Sequence, residues 1–107
     1  MTLVGLLNDF LLQKKIGGLS PKTLDSYKNV LHVFVLYAGD SLSLKELTQD
    51  LVNAYILDLY DRDLSRATVS TYVRSLKIFL RWIHQEYTLC FDPTKIKIPK
   101  SPKKIVH

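Results

Sequence analysis

The strongest constraint on this chain is the spacing of its apolar residues between its helix breakers. Gly17-Gly18, Gly39 and the prolines at 21, 93, 99 and 102 divide the sequence into segments. Within each segment apolar side chains recur every three or four positions, the period of a helix with one buried face. Leu3, Leu6, Leu7, Phe10 and Leu11 predict a first helix of about 13 residues. Ser20-Pro21 reads as an N-cap followed by a first-turn proline, and Leu24, Tyr27, Leu31, Phe34, Val35 and Ala38 carry a second helix over residues 21–38. Leu47, Leu51, Tyr55, Ile56 and Leu59 predict a third, with Thr48 as N-cap. Val69, Tyr72, Val73, Leu76, Phe79, Leu80, Ile83 and Tyr87 predict the fourth and longest, with Ser65 as N-cap. Period-two alternation is confined to Lys95–Ile98, between prolines. The expectation is an all-α domain of four helices, each burying a stripe, followed by an extended basic tail.

At 107 residues the chain has the size of one domain, and 47% apolar with 23% charged residues is ordinary globular composition. The single cysteine, Cys90, excludes an internal disulfide and fits a reducing compartment. No apolar run reaches the ~18 residues of a membrane span. Asp9 interrupts the N-terminal apolar stretch and no basic residue precedes it, so no signal peptide is read there. A cytoplasmic location and no membrane partner are expected. The net charge of +5 is unevenly placed: residues 1–92 carry ten Lys/Arg and ten Asp/Glu, whereas residues 93–107 carry five lysines and no acid. The expected division is a body over 1–92 and a basic linker over 93–107.

The fourth helix is the most informative. On a wheel of 100° per residue, with Arg66 at zero, Lys77 falls at about 20°, Arg81 at about 60° and Arg74 at about 80°. Ser70 and His84 fall on the same side, and the main apolar set occupies an arc from about 220° to 340°. Glu86 is the only acid between Arg66 and Tyr87. Long cationic side chains on one face can reach phosphate oxygens along a groove, and the helix N-terminus adds free N–H groups. Thr68, Ser70 and Thr71 are short enough to permit close approach there. An ordinary solvated helix face has the same composition. The polar face of the second helix (Ser20, Lys22, Thr23, Ser26, Lys28, Asn29 and His32) opens similarly but carries Asp25 in its middle. In the tail, Pro99 and Pro102 exclude a regular helix, and Lys95, Lys97 and Lys100 are placed to track phosphates.

No phosphate-binding glycine loop, zinc-protease motif or nucleophile elbow is present, and His32, His84 and His107 show no ligand spacing. They read as surface residues, and Cys90 as a structural thiol. No cofactor or metal is expected. Tyr27, Tyr55 and Tyr72 read as core, and no tyrosine has an evident activating base. Val33, Leu36, Ile78 and Trp82 lie off the main stripes, with Trp82 best placed to pack against the first helix.

The string Leu19-Ser20-Pro21-Lys22-Thr23-Leu24-Asp25-Ser26-Tyr27, followed by Leu31 and Phe34, resembles the second-helix signature of the tyrosine recombinases, the phage-integrase family. Leu64-Ser65-Arg66-Ala67-Thr68-Val69, then Leu76, Phe79, Leu80, Trp82 and Ile83, resembles that family's fourth helix, and Asp92-Pro93 with its lysine-rich sequel resembles the exit into the interdomain linker. The likeness spans residues 3–104. It implies the N-terminal core-binding domain, a SAM-like four-helix orthogonal bundle that clamps duplex DNA together with a larger catalytic domain. Carried onto this chain, the implied contacts are Lys22, Thr23 and Ser26 on the second helix and Arg66, Thr68, Thr71, Arg74 and Lys77 on the fourth. In the linker they are Lys95, Lys97 and Lys100. The implied partners are double-stranded DNA, the protein's own catalytic domain and other recombinase protomers.

The family's catalytic set belongs to its second domain, and neither His32 nor His84 is followed by Arg at the third position. The chain by itself is therefore expected not to cleave or rejoin DNA. A second reading, from another class, is a helical protein-interaction module using the first helix with Leu36, Ile78 and Trp82. A free-standing helix-turn-helix regulator fits less well, because of its candidate turns only the loop before the fourth helix is short.

Overall fold

Each helix starts where a hydroxyl side chain closes its first turn. In the computed structural model, which describes residues 2–39, 41–89 and 91–96, the N-caps are Thr2, Ser20, Thr48 and Ser65. Their side-chain oxygens accept the N–H groups of Gly5, Thr23, Leu51 and Thr68, which the helix itself leaves unpaired. The four helices are α1 (Leu3–Ile16), α2 (Pro21–Ala38), α3 (Gln49–Asp61) and α4 (Arg66–Glu86). Two of the breaks need glycine: Gly18 after α1 and Gly39 after α2 have φ of 93° and 101°, where a Cβ is strained. No strand occurs among the described residues beyond an isolated bridge between Thr2 and Ser43.

The loop after α2 holds a short 3-10 turn, Leu44–Glu46, that the sequence pattern did not announce. The Ser43 N–H and Oγ both donate to Glu46 Oε1, at 3.0 and 2.9 Å, and these bonds hold the carboxyl below its ordinary range. The Leu3 N–H donates to the Leu42 carbonyl at 2.9 Å, tying the start of α1 to this loop.

α2 and α4 each pack against all of the other helices. The core runs through Leu3, Leu6, Leu7 and Phe10 of α1, Leu31, Phe34 and Val35 of α2, and the stripe from Val69 to Ile83 of α4. Phe10 is its aromatic centre, with ring edges against Tyr27, Phe79 and Trp82 at 5.9, 5.2 and 5.5 Å. Trp82 lies off the main stripe of α4, at about 160° on the wheel, and is buried because α1 covers that side. The expectation that it packs on the first helix holds.

The third helix differs from its expected register. Leu47 lies before the helix rather than in it, and Val52, absent from the predicted stripe, is fully buried beside Tyr55 and Leu59. With Thr48 as the cap, Leu47 and Val52 stand at the two positions of a hydrophobic staple, which turns both inward. Leu51 and Ile56 are only half-buried. The tail also departs from expectation. Pro93–Lys95 forms a second 3-10 turn packed on α4, with Pro93 and Ile96 buried, so the extended conformation read at Lys95 gives way to a turn, while Ile96 is extended (φ −70°, ψ 123°). Cys90, Lys97, Ile98, Lys100 and the remainder of the tail lie outside the described residues.

Two measurements check this packing. Phe10→Ala is expected to cost about 3–5 kcal/mol in denaturant unfolding, whereas Leu36→Ala, at an exposed site, is expected to fall within about 0.5 kcal/mol of the parent. The second concerns alkaline pH. Burial raises the Tyr55 phenol well above its ordinary value of 10.0, and the bond from Tyr87 Oη to Asp9 Oδ2 (2.9 Å) raises Tyr87. A phenol whose folded value is raised contributes stability below its unfolded value and loses it as pH rises through the folded one. Stability is expected to fall above about pH 10, and Tyr55→Phe to flatten that fall in denaturation midpoints measured from pH 8 to 11.

Candidate nucleic-acid interface

α2 and α4 open on the same construction. Leu19-Ser20-Pro21-Lys22-Thr23-Leu24 and Leu64-Ser65-Arg66-Ala67-Thr68-Val69 share the pattern Leu-Ser-x-x-Thr-apolar. The two cap residues have nearly the same backbone, φ −64° and ψ 151° at Ser20 against φ −65° and ψ 154° at Ser65. Ser20 Oγ accepts the Thr23 N–H at 3.3 Å and lies 2.9 Å from Thr23 Oγ1. Ser65 Oγ accepts the Thr68 N–H at 3.1 Å and lies 2.8 Å from Thr68 Oγ1. Each opening thus presents a fixed pair of hydroxyls beside a cation, Lys22 or Arg66, and neither first turn contains an acid. The contrast is α3, whose first turn carries Asp50.

The cations of these two helices are unspent. Among the described residues the one ion pair joins Arg62 to Asp58 at 2.8 Å, at the end of α3. Lys22, Arg66, Arg74 and Lys77 have no carboxylate partner there. Lys22, Arg66 and Arg74 are exposed, as are Thr23, Ser26 and Thr71, while Lys77 and Thr68 are half-buried. The Thr71 hydroxyl donates to the Ala67 carbonyl at 3.1 Å, which occupies its proton and leaves its lone pairs outward. Lys95 is exposed on the second 3-10 turn, and Lys97 and Lys100 lie outside the described residues.

Two residues grouped with the cationic side of α4 behave otherwise. Ser70 is buried at 4% exposure, because α4 is packed on several sides and its free face is narrower than a wheel implies. His84 is exposed, as read, but it also has a structural bond: its Nδ1 accepts the Leu89 N–H at 3.1 Å. The similar openings of α2 and α4 follow from the sequence; this bond does not. The repeated Leu-Ser-x-x-Thr pattern was visible there as a signal, but the His84 bond depends on how the chain turns after α4. Among the described residues no group of three His, Cys, Asp or Glu side chains is placed to hold a metal ion, and no helix is long and apolar enough to cross a membrane.

The chain is similar to known proteins over most of its length. Residues 6–88 match the family model described as phage integrase, N-terminal SAM-like domain. It is 29% identical over 89 residues to the tyrosine recombinase XerC of Oceanobacillus iheyensis, covering 80% of this chain and 29% of that protein. It is 28% identical over 92 residues to the tyrosine recombinase XerD of the same organism, covering 82% of this chain and 31% of that protein. The chain therefore spans about a third of the length of these relatives. No solved structure matches it.

The caps give a direct check. Ser20→Ala and Ser65→Ala are each expected to destabilise the fold by about 1 kcal/mol, and Ser→Asp at either site to retain most of the lost stability, read from denaturant midpoints.

Proposed function

The chain belongs to the phage-integrase N-terminal SAM-like domain family, and from that membership we propose that it binds duplex DNA at the core site of a tyrosine-type site-specific recombinase. The observation that carries the proposal is the pair of matched openings on α2 and α4, with Lys22, Arg66 and Arg74 exposed and without carboxylate partners. Free N–H dipoles, fixed hydroxyls and unspent cations are what a phosphate backbone requires. In this reading Lys22, Arg66 and Arg74 contact phosphates, and Lys77 reaches them from its half-buried stem. Thr23, Ser26, Thr68 and Thr71 approach the groove as short hydrogen-bonding side chains. Lys95 sits at the edge of the body. The linker begins after Ile96, since Ile96 still belongs to the core, and Lys97 and Lys100 continue the basic track within it.

The proposed partners are double-stranded DNA, a catalytic domain in the same protein and neighbouring protomers. Strand cleavage and rejoining are assigned to that other domain, and this one positions the duplex. Because residues 1–92 carry equal numbers of basic and acidic side chains, the affinity of this domain alone is modest and sensitive to salt.

A second reading, an interaction surface for protein partners, is favoured by exposed apolar side chains at Leu12, Ile16 and Leu36 (53%, 71% and 67% exposed). Trp82 does not contribute to it, being packed against Phe10.

Titration into a labelled duplex at low and moderate salt tests the main reading. Binding is expected at low salt, with Arg66→Ala and Arg74→Ala each reducing the log–log salt slope by about 1. Undetectable binding at low salt by the folded domain would sink it.

A further inference from the structure

We propose that the exit from α4 is a strained clasp, with the His84 imidazole as its catch, that holds Leu89 and the segment from Phe91 to Ile96 against the bundle and so sets the reach of whatever chain follows. The functional consequence rests on the reading of residues beyond Ile96 as a linker; the clasp itself rests on geometry alone.

Thr88 has φ of 93°, and it is the one non-glycine residue with positive φ among the described residues. For a β-branched side chain that conformation is a genuine outlier, and it persists only when its surroundings hold it. The holding groups stand on either side. The Tyr87 and Thr88 N–H groups both donate to the Ile83 carbonyl, at 2.8 and 3.3 Å, which closes the last turn of α4. The next amide, Leu89 N–H, turns back to His84 Nδ1 at 3.1 Å. That bond needs an unprotonated Nδ1, so the ring carries its proton on Nε2.

The returning segment is then seated by apolar side chains and closed by its own turn. Leu89 is 6% exposed, Ile96 is 2% exposed and Pro93 is buried. Asp92 Oδ1 accepts from the Thr94 N–H at 3.0 Å and from Thr94 Oγ1 at 2.7 Å. Between these anchors lies an open groove of about 180 Å³, with Arg81, His84 and Gln85 of α4 on one side and Asp92 to Thr94 on the other. The segment is thus seated at Leu89, Phe91, Pro93 and Ile96, with the groove open beside it. Strain at Thr88 favours opening, and the His84 bond with the apolar anchors opposes it. Opening the clasp would free nine residues, adding about 30 Å of reach at full extension. A domain tethered beyond this point therefore has a short, docked tether and a long, released one.

The test uses the full 107-residue chain and three variants, read by amide hydrogen exchange and by tryptic cleavage after Lys95. His84→Leu removes the acceptor. It is expected to speed exchange of the Leu89 amide and cleavage after Lys95 about tenfold, while the core amides of Leu31 and Phe34 keep their rates. His84→Asn, whose Oδ1 can stand where Nδ1 stands, is expected to stay within about twofold of the parent. Thr88→Gly accepts positive φ without a steric cost, and it is expected to slow both rates and to offset His84→Leu in the double variant. Unchanged Leu89 exchange in a folded His84→Leu protein would overturn the proposal. So would a loss of protection shared equally by Leu31 and Phe34, or His84→Asn behaving as His84→Leu. Failure to bind duplex DNA would count against the proposed function and leave these rates as they are.

Discussion

The seating of Phe10 between α2 and α4 is the contact on which the arrangement depends. Its ring meets Tyr27 from α2 and both Phe79 and Trp82 from α4. Edge-to-face pairs of this kind add to the burial of large apolar rings, so one side chain of α1 joins both helices that touch every other α-helix. With α1 held there, the C-terminal half of α4 is covered on its Trp82 side. The polar face left to that helix is the narrow one carrying Arg66, Arg74 and Arg81.

That narrowing has consequences for chemistry. A wheel treats a helix as a cylinder facing one core, but α4 has neighbours on several sides. Ser70 is lost to the interior and Lys77 is half covered, although both fall among the cations by angle. What remains exposed runs from the opening of α4 through Arg74 to Arg81, and at α2 begins with Lys22 and Thr23. At both openings the same Ser-x-x-Thr cap does two jobs: it satisfies amide groups that begin the helix, and it leaves the first turn free of acids. Stability and the proposed phosphate contact thus draw on the same residues.

The ends of the domain are held by polar ties as well as by buried apolar side chains. Tyr87 reaches Asp9 across the sequence, Leu3 bonds to Leu42, and His84 holds Leu89. With Leu89, Pro93 and Ile96 buried as well, the body runs on to Ile96 rather than stopping at the end of α4.

Much of the fold was legible from spacing. The bounds of α2, the caps Ser20, Thr48 and Ser65, and the stripe of α4 all follow from local rules: breakers, capping hydroxyls and a period of 3.6 act within a turn or two of the chain. The exposed cations of the site were legible for the same reason, since charged side chains stay in solvent unless they are paired. Tertiary structure decided the rest. Leu47 and Val52 turn inward because the bundle offers that corner a core. Ser70 is buried because α4 packs against three other helices, which leaves it a narrow free face. Ile96 docks, and His84 finds Leu89, only because the chain turns back after Thr88. Local periodicity carries no record of which faces a neighbour will cover, because that depends on contacts between residues far apart in the chain.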